Sequence, residues 1–193
     1  MSNVIRTIST EKLSVRDNTE EPVIYGYFAV YNNRTQLWGD VYEQIAPGAF
    51  DKALLNNDVR CLYNHDTGVV LGRMSAGTLT LRSDAHGLYG EVRINTEDKQ
   101  AMDIYARVKR GDISGCSFGF CPIDEPYEYI DGKEVFTLRE ADLSEVSVCV
   151  FPAYEDTDIK ARSKLSEADK TARVMRLKSK LEVIRNGNKN TDR

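Results

Sequence analysis

Short runs of β-branched and aromatic residues, each cut off after a few positions by turn-forming residues, constrain this chain more than any other feature. Val23–Tyr31 (VIYGYFAVY) reads as a buried strand, and Asn32-Asn33 as the turn that ends it. Val59–Tyr63 (VRCLY) is the next strand, stopping at Asn64-His65-Asp66. Thr78–Arg82 and Leu88–Ile94 flank Ser83-Asp84-Ala85-His86-Gly87, which has the turn chemistry of a hairpin. Ile113–Cys121 reads as extended until Pro122 breaks it, and strands at Val135–Arg139 and Leu143–Phe151 close the body. Two helices interrupt this series. One opens at Pro47-Gly48-Ala49-Phe50 with Phe50, Ala53 and Leu54 on one side. The other spans Thr96–Arg110, with Thr96 as its cap, Gly111 as its stop, and an apolar stripe at Ala101, Ile104, Tyr105 and Val108. There is no alternation of strand and helix and no internal repeat. The expected class is therefore α+β, a compact, mostly antiparallel β-barrel with helices at its rim.

Charge divides the chain. The formal net charge is -4, but residues 159–193 hold 11 basic and 4 acidic side chains, +7, which leaves -11 on residues 1–158. We expect a domain over 1–158 and a basic helical or flexible tail over 159–193. An acidic body argues against nucleic acid as its ligand. In the tail, Ser166 and Asp169 resemble a capping box, and Asn186-Gly187-Asn188 marks a stop. Between them Val174, Leu177, Leu181 and Ile184 form an apolar seam, suited to a partner or to the chain's own body. No apolar run approaches the roughly 18 residues of a membrane span. The first residues (MSNVIRTISTEKLSV) lack the basic start and apolar run of a secretory signal, so the four cysteines are expected to be reduced thiols.

Three segments could carry chemistry. The chain has two histidines. His86 falls in the hairpin turn, whereas His65 ends an apolar strand between Asn64 and Asp66, where a scaffold can hold an imidazole at a rim. In Gly115-Cys116-Ser117-Phe118-Gly119-Phe120 alternation puts Cys116, Phe118 and Phe120 on an apolar face and Ser117 between two glycines on the other. Those bare positions leave room for another backbone to approach, although a bulged strand with an incidental serine gives the same string. In Leu143-Ser144-Glu145-Val146-Ser147-Val148-Cys149-Val150-Phe151 a buried valine face opposes Glu145. A carboxylate there needs a partner, either an arginine or an imidazole whose tautomer it fixes. The string G-C-S-F-G matches a nucleophile elbow only superficially, since Pro122 precludes the following helix and both histidines precede Ser117. Cys61, His65, Cys116 and Cys121 could be drawn as a zinc set, but their spacing matches no known ligand pattern. Cys116 as a nucleophile would point into the core.

Taken in order, several strings resemble the prohead maturation serine proteases of tailed bacteriophages. They are G-Y-F-A-V-Y-N at Gly26–Asn32, P-G-A-F at Pro47–Phe50, N-H-D at Asn64–Asp66, L-G-R at Leu71–Arg73, D-A-H-G-L at Asp84–Leu88, G-C-S-F-G-F, and L-S-E-V-S followed by F-P-A at Phe151–Ala153. The resemblance implies a fold similar to that of the herpesvirus assembly proteases. It also implies a serine nucleophile at Ser117, a histidine at His65 and an acid at Glu145. Ser114 is the alternative nucleophile, on the other face of a regular strand unless a bulge intervenes. Arg73 is a candidate for oxyanion support. No cofactor or metal is implied. The implied substrates are the scaffolding segment of the major capsid protein, any scaffold protein and the protease itself, inside the assembling prohead in the host cytoplasm. A homodimer follows by analogy with the herpesvirus enzymes, and no membrane or nucleic acid is required. The tail after roughly residue 160 would bring the protease into the shell and be removed by self-cleavage. A capsid-assembly or scaffolding factor that has lost catalysis, or a metal-dependent hydrolase, would be the competing readings.

Overall fold

In the computed structural model, residues 4–8, 13–16, 21–151 and 174–184 are described. Among these residues thirteen strands form three sheets. The first contains, in spatial order, β1 (Val4–Ile8), β10 (Gly115–Asp124), β13 (Glu140–Cys149), β6 (Arg60–Tyr63) and β7 (Asp66–Arg73). The second runs β2 (Ser14–Arg16), β3 (Val23–Val30), β9 (Gly87–Arg93), β8 (Leu79–Ser83). The third runs β11 (Tyr127–Ile130), β12 (Lys133–Leu138), β5 (Val41–Ile45), β4 (Thr35–Trp38). Most pairings are antiparallel, but β13 lies parallel to β6 and β12 parallel to β5, so the core is mixed. Among the described residues the strands expected to form a β-barrel hydrogen-bond as three sheets, within the expected α+β class. Register shifts within the β10–β13 and β3–β9 ladders bend those strands. The sheets then meet through side chains instead of a continuous ladder.

Phe28, Phe50, Phe118, Phe120, Val146 and Val148 are fully buried between the first two sheets. Phe50 meets Phe118 edge-on at 5.3 Å and Phe118 lies 5.1 Å from Phe120. Such contacts are worth about 1 kcal/mol each beyond the area they bury. Two helices flank this core. α1 (Asp51–Asn56) follows the Pro47–Phe50 turn and buries Ala53. α2 (Lys99–Arg110) buries the expected stripe of Ala101, Ile104, Tyr105 and Val108 and ends at Gly111, whose φ of 89° suits a residue without a Cβ. Its cap is Asp98 rather than Thr96: Asn95 turns back to the Glu97 N–H at 3.0 Å, so the helix starts later. Pro122 likewise does not end its strand. β10 runs through it to Asp124, with Pro122 opposite Ala141 next to a register shift in the ladder.

The tail seam docks on the chain's own body. Residues 174–184 form a helix, α3, whose Leu177 and Leu181 are buried against Val41, Phe136, Leu37, Trp38 and Tyr127 of the third sheet. Lys178 lies 5.4 Å from the Trp38 ring centre, and Lys180 donates to the Glu125 carbonyl. The capping pair Ser166 and Asp169, the Asn186–Asn188 stop and the boundary near residue 158 fall outside the described residues. No described helix is long and apolar enough to cross a membrane.

Candidate active site

The site is built on the face of the β10–β13 ladder that points away from the phenylalanines. Residues paired across an antiparallel ladder project to the same side. Gly115 pairs with Cys149, Ser117 with Ser147, and Gly119 with Glu145. The register is regular from Gly115 to Gly119, the first shift falling between Gly119 and Phe120. Ser117 therefore shares the Glu145 face. Ser114 precedes the strand, and its carbonyl accepts the Leu13 N–H at 3.3 Å.

His65 reaches this face through backbone geometry. Tyr63 pairs with Asp66, which leaves Asn64-His65 as a two-residue hairpin turn with φ of 49° and 62°. Paired positive φ values match the right-handed twist of a tight hairpin. Asparagine adopts them readily, whereas histidine does so at a cost of about 1 kcal/mol. The Asn64 side chain offsets part of that cost by accepting the Val150 N–H at 3.0 Å, and the Asn64 backbone N–H donates to the Val148 carbonyl at 2.9 Å. The imidazole thus turns back over β13. His65 Nδ1 lies 2.7 Å from Glu145 Oε1, and both side chains are nearly buried, at 12% and 10% exposure. Ser117 is fully buried.

The Caudovirus prohead serine protease family model matches residues 9–172 of the chain. The chain belongs to this family. Its similarity to the prohead protease of Enterobacteria phage HK97 is 31% identity over 166 residues, covering 83% of this chain and 70% of that protein. Its fold is similar to that of the bacteriophage T4 capsid assembly protease, with a TM-score of 0.52 at 13% identity over 78% of this chain and 98% of that one. The protein is accordingly a serine endopeptidase of the prohead protease family, with an α+β fold in which helices flank a mixed β core.

Within this family member the structure brings His65 and Glu145 into contact and sets Ser117 on the same face. It does not bring Arg73 there. Arg73 sits on β7, three strand spacings from β10, about 14 Å. Its Nε donates to Asp58 Oδ2 at 2.6 Å. The hydrogen bond from Arg73, helped by the Ser75 N–H, holds the Asp58 carboxyl down at about 2. The four cysteines are free thiols. Cys61 and Cys116 lie in the core, on the opposite face from His65, and the Cys116 thiol donates to the Tyr27 carbonyl. The cysteine–histidine set drawn from the sequence is thereby split across the sheet, and no metal-binding cluster occurs among the described residues.

Two site positions were not assigned from the sequence, and one was misread. Cys149 places its sulfur 3.9 Å from His65 Nε2, and burial pushes its thiol well above the ordinary range. Ser147 bonds both Glu145 and the His65 backbone. The strand alternation already placed these residues with Glu145, but nothing local distinguished them from spacers between valines. Gly119, expected to leave space for a substrate backbone, instead leaves space for Glu145. A Cβ built there would fall 2.4 Å from Glu145 Oε1.

Proposed function

We propose that Ser117 is the nucleophile of this protease, His65 its general base and acid, and Glu145 the group that orients His65. The observation that carries this reading is the 2.7 Å contact of His65 Nδ1 with Glu145 Oε1, over the sheet face that also bears Ser117. With Nδ1–H donated to the carboxylate, Nε2 carries the basic lone pair, with the Cys149 sulfur 3.9 Å from it in the resting site. That nitrogen takes the Ser117 proton as the oxygen attacks a peptide carbonyl, and later returns it to the leaving amine. Glu145 stabilises the imidazolium formed in between. Backbone N–H groups would hold the oxyanion, each worth about 3 kcal/mol. Ser117 is enclosed, so acylation follows movement of the residues that cover it.

The same reading extends to substrates. The names of the relatives concern proheads and capsid assembly. The substrates proposed here are the scaffolding segment of the major capsid protein and the chain itself, cleaved inside the assembling shell. The catalytic domain would cover 1–158, with 159–193 a removable tail. Purified active enzyme should then show a mass lacking the basic tail; a chain that stays full-length throughout cleavage contradicts tail removal.

Replacing the nucleophile gives the direct test. Ser117→Ala should lose at least about 10⁴-fold in cleavage rate with its melting temperature preserved. Ser114→Ala should stay within about twofold of the parent, because Ser114 precedes β10 and lies outside the ladder that carries Glu145. The opposite pattern would transfer the nucleophile to Ser114.

A further inference from the structure

Glu145 has two oxygens, and the imidazole uses one of them. The other, Oε2, accepts the hydroxyl of Ser147 at 2.6 Å. Ser147 is fully buried, and its oxygen also accepts the His65 backbone N–H at 3.2 Å. A hydroxyl has a single proton, and here the carboxylate, which is acceptor-only when ionised, claims it. Its lone pair is left for the N–H, so the direction of both bonds is fixed. One side chain therefore ties the acid to the backbone of the base. Gly119 closes the opposite side, since a Cβ there would press on Oε1.

This arrangement addresses two weaknesses of the site. A carboxylate held at one oxygen can swivel and lose its line to Nδ1. His65, with its positive φ, lies in a turn that costs free energy to hold. Hydrogen bonds to charged groups are stronger than neutral ones and depend strictly on placement. Ser147 also lies directly across the ladder from Ser117, but its proton is directed at Glu145 rather than at the imidazole, which unsuits it to be a nucleophile.

We propose that Ser147 is a positioning residue of this protease, holding the Glu145 carboxylate and the His65 turn in register so that the imidazole can act on Ser117. The proposal rests on the Ser117–His65–Glu145 reading. Its removal should slow the chemical step and spare binding. Ser147→Thr keeps the hydroxyl and restores the rate.

The test is phosphonylation of the full chain by a fluorophosphonate, with kinact and KI measured separately and the labelled residue found by peptide mass. Ser147→Ala should lower kinact about 10- to 100-fold and leave KI within about twofold. Ser147→Thr should recover most of the loss. In a Glu145→Ala background, removing the Ser147 hydroxyl should cost less than about twofold more, because the group it positions is gone. Ser147→Cys, close in volume but a poor donor, replaces the alanine variant if that fails to fold, with the same expected loss. The chain has two histidines, and His86 is exposed, so the Nδ1 proton of His65 can be followed in the proton spectrum. It should broaden in Ser147→Ala. Parental kinact in Ser147→Ala, or its whole loss repeated without Glu145, overturns the positioning role. Parental labelling of Glu145→Ala, or a label on Ser147 itself, overturns the triad reading instead.

Discussion

The two faces of the β10–β13 ladder share one backbone and one register yet obey different rules. On the inner face Phe118, Phe120, Val146 and Val148 fill volume, and any apolar set of similar size and shape would serve. On the outer face Gly119, Glu145, Ser147 and Ser117 are small or polar, and the first three are fixed by particular neighbours. The inner face therefore sets stability, and under the proposed assignment of Ser117, His65 and Glu145 the outer face sets reactivity. Because alternation has a period of two, one strand can answer to both demands without conflict.

Variants one position apart can break that contrast. The largest effect should come from Phe118→Ala, which opens a cavity among Phe50, Phe120 and the valines and should cost about 3–5 kcal/mol in denaturant unfolding. Activity measured well below its melting point should remain. Next, Gly119→Ala adds a methyl group that Glu145 Oε1 already excludes. The displaced carboxylate should lower the cleavage rate about 10²-fold with a far smaller change in stability. If Gly119→Ala destabilises as Phe118→Ala does while keeping its activity, the division between the faces fails. The smallest effect lies at the edge of the same sheet, where Asp58 is held at about 2 by Arg73 against an ordinary 3.8. A depressed carboxyl contributes stability that is complete above about pH 4 and lost as pH falls toward 2. The pair is exposed, so screening keeps this contribution slight. An NMR titration of the Asp58 carboxyl should give the low midpoint in the parent and one near 4 in Arg73→Ala, with cleavage little changed if Arg73 stands outside the chemistry.

The inner face was the part most legible in the sequence. β3, β6, β8, β9, β12 and β13 announce themselves through dense β-branched and aromatic residues, as does the stripe of α2. β5 did not, because its buried alternation of Val41, Glu43 and Ile45 has a carboxylate in the middle. β7 carries two glycines and an exposed Val70, and is a strand because β6 pairs with it across the Asn64-His65 turn. Here partner and turn outweigh local preference. Chemistry-bearing residue types at His65, Ser117 and Glu145 were visible one by one, but Ser147 gains meaning only from a histidine 82 positions away. The tail seam was legible as a seam. Its seat was not, since Leu37, Trp38 and Val41 belong to strands that their own residues scarcely advertise.

That seat has a practical corollary. The chain contains a single tryptophan, Trp38, and α3 lies against it with Lys178 over the ring. Departure of the C-terminal helix would hydrate the indole and shift its emission to the red, so the molecule carries its own optical reporter of whether the tail is seated.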